Sequence, residues 1–283
     1  ARSVDNIVNT YNLVSDDIAL CVMPLFHVHG LVASTLSTFA SGGTVSVPPR
    51  FNVLNFLRIT EQEKFTWYTA VPSIHQTLLA RAKGRESAYK LPDLKFIRSC
   101  SSSLAPVTML GLEELFEVPV LEAYGMTEAS HQMSSNPLPP GTRLPGSVGH
   151  GTGVDIAIMN DTGNLLDTLT RGEVVIKGSN VFSGYENNDE ANSTSFTDGW
   201  FRTGDEGMLD QNGYLTLLGR IKEIINRSGE KISPREIDEI LLSHPAVAEA
   251  VAFGIPHPTH GEEPSAAVVL SASADQKELI SFC

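Results

Sequence analysis

The sequence predicts an α/β protein: a covered, mostly parallel sheet, then a small antiparallel β subdomain, then a truncated α+β C-terminal domain. Three observations predict it. In the first half, short apolar runs without polar alternation take turns with helical spacings, which suits strands covered on both faces by helices. Beyond Asn136 the runs shorten and are separated by Gly, Asn and Asp turns, the mark of antiparallel hairpins. Beyond Arg220 a capping box opens a helix that two further strands follow. The boundaries are placed at residues 1–140, 141–219 and 220–283.

The elements follow in order. Ile18 to Phe26 reads as a strand, Leu31 to Ser41 as a helix closed by Gly42 and Gly43, and Thr44 to Val47 as a strand ended by Pro48 and Pro49. Asn52 to Lys64 is a helix with Val53, Phe56, Leu57 and Thr60 on one face. Strands at Phe65 to Val71, Lys95 to Cys100 and Val118 to Ala123 alternate with helices at Ser73 to Ala82 and Val107 to Phe116. In such sheets ligands gather at the carboxyl ends of the strands, where Pro24 to Gly30, Ser99 to Pro106 and Tyr124 to Glu128 fall. Val154 to Met159, Gly172 to Lys177 and a hairpin around Asp210 to Gly213 build the β subdomain. Ser233 to Glu236 caps a helix whose apolar face is Ile237, Ile240 and Leu241. Strands at Val247 to Phe253 and Ala266 to Leu270 come next, then a helix start at Asp275.

Composition narrows the function. The chain has 283 residues, 41% hydrophobic, and no apolar run of about 18 residues or apolar leading segment, so no membrane span is expected. Cys21, Cys100 and Cys283 are odd in number and far apart, which suits reduced thiols in an intracellular compartment. A net charge of -13 argues against nucleic acid as a partner. Between Gly219 and Arg235, however, five bases against two acids make a local strip of +3, suited to a small anionic ligand or to a solvated hairpin.

Three stretches carry chemistry. Val120 to Glu128 runs from an apolar strand into Tyr124, which can stack on a flat base, Thr127, which can donate to a phosphate, and Glu128, which can hold magnesium. Gly125 is read there as a sharp backbone turn. Trp200 to Asp205 places a carboxylate after a glycine turn, and Gly219-Arg220 follows one hairpin later; an Asp can take both ribose hydroxyls while an Arg covers ribose or phosphate oxygens.

With Arg171 to Val174 and Gly184-Tyr185 between them, the order and spacing of these motifs resemble the adenylate-forming superfamily of acyl-CoA synthetases, acyl-protein ligases and luciferases. The resemblance covers essentially the whole chain. It implies that ATP and a carboxylic acid give an acyl-adenylate and pyrophosphate, after which a small C-terminal domain swivels and CoA displaces AMP. Residues 1–140 and 141–219 are then the α/β and β-rich parts of the AMP-binding domain, and 220–283 the mobile C-terminal domain. The implied nucleotide contacts are Ser103, Ala105, Glu122, Ala123, Tyr124, Gly125, Met126, Thr127, Asp205, Arg220, Lys222 and Asn226, with Lys222 at the hinge. Thr127, Glu128 and His27 are the implied catalytic positions, Glu128 the magnesium ligand, and Ser228, Gly229 and Lys231 the CoA contacts. Two departures stand out. The superfamily's Gly- and Ser-rich phosphate loop is not found in residues 1 to 26, and the lysine that completes the adenylating site is not found after the last strand. The sequence therefore reads as an internal piece of a longer enzyme, with little activity expected of it alone.

The implied acid pocket is lined by His27, His29, Ser102, Ser103, Ala123, Ser130, His131 and Gln132. That lining is polar, whereas unpaired buried polar groups cost about 1 to 3 kcal/mol each, so a small acid with a second carboxylate fits better than a fatty acid. Met23 to Gly30, Arg98 to Pro106 and Glu128 to Met133 resemble the oxalate-CoA ligase branch of fungi and plants, which implies oxalate as substrate and a peroxisomal or cytoplasmic location. Two other readings stay open: a ligase for another small or coumarate-type acid, and a truncated module that binds nucleotide or protein without turnover. His27 and His29 as zinc ligands lack a third partner at ligand spacing. Pro256 to Gly261 is read as a surface turn.

Overall fold

The computed structural model describes residues 1–48 and 51–283. Its first sheet is laid down by the apolar runs. Strands β1 (Ile18–Cys21), β2 (Thr44–Ser46), β3 (Trp67–Ala70), β4 (Phe96–Ser99) and β5 (Val120–Met126) lie in the order β2-β1-β3-β4-β5, every pair parallel. Helices α1 (Arg2–Tyr11), α2 (Ser37–Ala40), α3 (Phe56–Gln62), α4 (Pro72–Ala82) and α5 (Pro106–Phe116) accompany it. Leu20, Tyr68, Ile97 and Leu112 belong to one core, while Ile7, Tyr11, Trp67, Phe96 and Leu121 form another. Proline at the first turn of α4 and α5 starts both helices, because its missing N–H is one that a helix start leaves unpaired anyway.

Several expectations change in detail. The run after β1 leaves the strand at Cys21, and the expected helix from Leu31 begins as a π-helical stretch, His29–Leu36, before α2. A Cβ on Gly30 would lie 2.4 Å from the Pro24 carbonyl oxygen, so the close approach demands glycine there. The helix expected from Asn52 is a 3₁₀ turn, Val53–Asn55, followed by α3. Pro49, expected to end β2, lies outside the described residues. Helix α1 had no counterpart among the sequence-predicted elements.

Gly125 is not a turn. It sits inside β5, which runs on to Met126 and pairs antiparallel with β6 (His131–Ser135), and β7 (His150–Gly151) extends the sheet further. A Cβ at Gly125 would fall 1.8 Å from the His131 carbonyl oxygen, so glycine is required by strand contact rather than by a positive φ.

The β-rich region forms a second, antiparallel sheet. It comprises β8 (Asp155–Met159), β9 (Gly172–Lys177), β10 (Phe196–Thr197), β11 (Trp200–Leu209) and β12 (Leu215–Arg220). Val174, Ile176, Phe201 and Leu215 pack with Tyr124 and Met133, which ties this sheet to the end of β5. Helix α6 (Asp189–Ser195) precedes β10.

The third sheet has the order β14-β13-β16-β15, from β13 (Ile225–Arg227), β14 (Glu230–Ile232), β15 (Val247–His257) and β16 (Gly261–Leu270), with α7 (Pro234–Ser243) and α8 (Gln276–Phe282). Strands β15 and β16 are longer than expected, and Pro256 to Gly261 forms the tip of their hairpin. Ser233 caps α7 by accepting the Glu236 N–H at 3.3 Å and donates to the Leu218 carbonyl. Arg235 donates to the carbonyls of Leu217 (2.9 Å) and Gly146 (3.2 Å), so the first turn of α7 grips the second sheet and the loop between β6 and β7. Among the described residues no helix is long and apolar enough to cross a membrane.

Candidate functional site

The carboxyl ends of β4 and β5 meet β11, β12 and α7 around one cavity of about 450 Å³. Asp205 and Arg220 are cross-strand partners on β11 and β12, so the ladder itself sets carboxylate beside guanidinium, Arg220 Nε to Asp205 Oδ1 at 2.9 Å. The Tyr124 hydroxyl donates to the other Asp205 oxygen, Oδ2. Burial, reinforced by the Asp205 charge, pushes the Tyr124 phenol well above its ordinary value. The phenol therefore keeps its proton and anchors the ring in the cavity wall. Burial also raises the Asp205 carboxyl, while Tyr124 and Arg220 oppose that rise.

The same cavity takes in Ser102, Ser103, Glu122, Ala123 and Gly125, so most of the expected nucleotide contacts converge. Ala105 is buried as the N-cap of α5, and Met126 packs into the second core. Thr127 stands exposed on the 3₁₀ turn after β5; Glu128, half-buried beside it, accepts the Tyr185 hydroxyl at 2.9 Å through Oε1. A carboxylate oxygen left on Glu128 suits a hard divalent cation that takes its remaining ligands from phosphate and water.

Lys222 sits on the exposed 3₁₀ turn Ile221–Glu223 that joins the second sheet to the third. Asn226 and Lys231 line a different cavity, of about 260 Å³, with Arg171, Glu173 and Glu206. Ser228 and Gly229 form the exposed turn of the β13–β14 hairpin, where Ser228 Oγ lies 2.9 Å from His260 Nδ1. The structure thus gathers the residues expected at adenine and ribose and leaves the CoA candidates and Asn226 apart from them.

The acid-pocket candidates divide as well. His27 is exposed on the loop after β1. His29 is buried with both ring nitrogens engaged, Nδ1 with Ser101 Oγ at 2.9 Å and Nε2 with Thr69 Oγ1 at 2.6 Å. Gln132 is fully buried and saturated: Oε1 accepts from Tyr11 and Arg98, and Nε2 donates to Thr10 and Thr152. His131 stacks on His29 with ring centroids 5.1 Å apart, and its Nε2 has no hydrogen-bond partner among the described residues. Burial, then the Arg98 charge, hold both imidazoles well below their ordinary values, so both are neutral. Ser101, absent from the sequence-derived set, lines the cavity. The signal for it in the sequence is the serine run Ser101 to Ser103 at the end of an apolar strand.

The chain matches the family profile described as AMP-binding enzyme over residues 1–186, and the profile of the AMP-binding enzyme C-terminal domain over residues 236–283. The chain belongs to the AMP-binding enzyme family. This AMP-binding enzyme chain is 51% identical over 289 residues to an oxalate–CoA ligase of Arabidopsis thaliana, covering 100% of the chain and 56% of that protein. It is 50% identical to an oxalate–CoA ligase of Saccharomyces cerevisiae, over 99% of the chain and 52% of that relative. The chain thus spans about half the length of these curated relatives. Among solved structures it is similar to ATP-bound MatB from Rhodopseudomonas palustris, with TM-score 0.91 and 30% identity over 99% of the chain and 56% of that protein. The apo form of MatB superposes with TM-score 0.81 over the same coverage.

Proposed function

We propose that the chain carries the nucleotide and acid sites of an ATP-dependent ligase that joins a small carboxylic acid, oxalate, to CoA through an acyl-adenylate. The observation that carries the reading is the convergence of Tyr124, Asp205 and Arg220 on one cavity at the strand ends. Tyr124 offers a face to adenine, Asp205 accepts from ribose hydroxyls, and Arg220 covers ribose or phosphate oxygens. An acid carboxylate is already an ionised nucleophile, so the site's task is to align it with the α-phosphate and to stabilise charge there, with Thr127 as donor. Glu128 would hold magnesium, which when bound neutralises phosphate charge. The greater similarity to the ATP-bound than to the apo form of MatB supports an arrangement suited to nucleotide. The oxalate reading is supported by the polar surroundings of His29 and His131 and by the two relatives named oxalate–CoA ligase. Residues 220–283 serve as the mobile domain, turning at Lys222 to bring Ser228, Gly229 and Lys231 to CoA. Buried unpaired Cys21 and Cys100 fit a reducing compartment, cytoplasm or peroxisome.

Isothermal titration with AMP and magnesium, with and without oxalate, tests this reading against Asp205→Ala. AMP binding that is lost in the variant, and an AMP affinity altered by oxalate, are expected. A folded chain that binds no AMP would overturn the reading.

A further inference from the structure

Arg98 lies on β4 between two cores and is fully buried. Its partners are neutral: Nε donates to the Tyr11 hydroxyl at 2.8 Å, Nη1 to Thr69 Oγ1 at 3.1 Å and Nη2 to Gln132 Oε1 at 3.0 Å. Among the described residues no carboxylate pairs with it. A guanidinium does not give up its proton, so this strand holds a buried positive charge without a counter-ion.

The hydrogen bonds also have a direction. Arg98 is only a donor, so Thr69 Oγ1 must accept from it. The one hydrogen of that hydroxyl then has His29 Nε2, at 2.6 Å, as its acceptor. That fixes the proton of neutral His29 on Nδ1, which donates to Ser101 Oγ at 2.9 Å. With its oxygen accepting, the Ser101 hydroxyl is left to donate, and Ser101 lines the cavity. Both residues flanking His29 are held in uncommon backbone: Ser101 at φ 74° and His131 at φ 98°. Such geometry persists where the surroundings over-determine it, and here the Ser101 hydroxyl bonds His29 while the His131 ring stacks on it.

We infer that Arg98 is a positioning residue for the acid: through Thr69 and His29 it fixes Ser101 as a hydrogen-bond donor, and its buried charge favours an acid bearing a second negative group. The inference rests on the acid site proposed above and names the source of its charge. Ser101 supplies the neutral donor, His131 an unpartnered nitrogen, and the positive field comes from β4. The titratable groups around Arg98 are Tyr11, Cys100, His29 and His131; His75 and His27 add their charges at His29.

The test is binding of oxalate and of acetate to the AMP-saturated chain, followed through the histidine ring resonances, in the wild type, Arg98→Met and Arg98→Lys. Arg98→Met should weaken oxalate on the order of tenfold while leaving acetate within about twofold. Arg98→Lys should restore part of the difference. In Arg98→Met the His29 and His131 resonances should also titrate at higher pH than in the wild type. If Arg98→Met does not fold, Arg98→Gln, which keeps polar partners without charge, is read in the same way. Equal loss of both acids, or unchanged oxalate binding in a folded charge-free variant, refutes the inference alone. AMP binding with no response to oxalate in the wild type refutes the oxalate reading and this inference with it.

Discussion

Glu122 offers the sharpest quantitative test of the cavity. Its Oε1 accepts the Leu104 N–H at 2.9 Å, and its Oε2 is buried with no partner among the described residues. Arg235 approaches only to 3.9 Å, with its guanidinium already committed to two carbonyls and to Glu239. Burial therefore outweighs that attraction, and the carboxyl is pushed up from 4.5 to about 7. The folded state holds this proton more tightly than the unfolded chain. The associated stability is fully present below the unfolded value and is lost as pH rises through about 7. A change from 4.5 to about 7 corresponds to roughly 3 kcal/mol, an upper figure because relaxation around an ionised carboxylate reduces it. Glu122→Gln keeps an acceptor for Leu104 and cannot ionise. Urea unfolding followed by the fluorescence of buried Trp67 should show the wild type losing stability, relative to the variant, between about pH 5 and pH 8. The variant should lead by about 1 to 3 kcal/mol at the upper end. Parallel pH profiles, or a variant less stable than the wild type at about pH 8, would refute the reasoning.

Two substitutions probe the contacts that set the cavity's frame. Gly125→Ala must displace β6, because the new methyl would sit 1.8 Å from the His131 carbonyl oxygen; a loss of at least about 2 kcal/mol in urea unfolding and weakened AMP binding are expected. Gly84→Ala is its control: nothing lies within 4 Å, and the cost should be the roughly 1 kcal/mol of left-handed backbone at φ 74°. Ser233→Ala removes the α7 cap and the bond to the Leu218 carbonyl, and should cost about 1 kcal/mol, with increased hydrogen exchange confined to the first turn of α7. Protection unchanged along α7 would count against the cap.

What could be read from the sequence was what local chemistry decides. Apolar runs gave β3, β4 and most of β5, helical spacings gave α4 and α5, a capping box with proline marked the start of α7, and turn residues delimited the second sheet. Tyr124, Asp205 and Arg220 were legible because their side-chain types suit a nucleotide, although only the cross-strand register of β11 and β12 makes them neighbours. Strand β6 was not legible. His131, Gln132, Ser134 and Ser135 carry no strand pattern, yet all are buried, and the partners that bond Gln132 and Ser135, Tyr11 and Arg98, lie far away along the chain. Helix α1 escaped with them, since Tyr11 has its role only once β6 is in place.

The same long-range bonding decides which polar residues near the acid pocket remain available. His29 and Gln132 are the right residue types to hold a carboxylate, but their polar atoms are engaged within the fold. Buried donors bind a ligand only with what the protein leaves unbonded, since an exchanged bond gains little. His131, with an unpartnered nitrogen, and Ser101, whose hydroxyl hydrogen is freed by accepting from His29, are what this network leaves. Residue type made the pocket look uniformly polar. Hydrogen-bond saturation reduces it to one hydroxyl donor and one unpartnered imidazole nitrogen, backed by one buried charge.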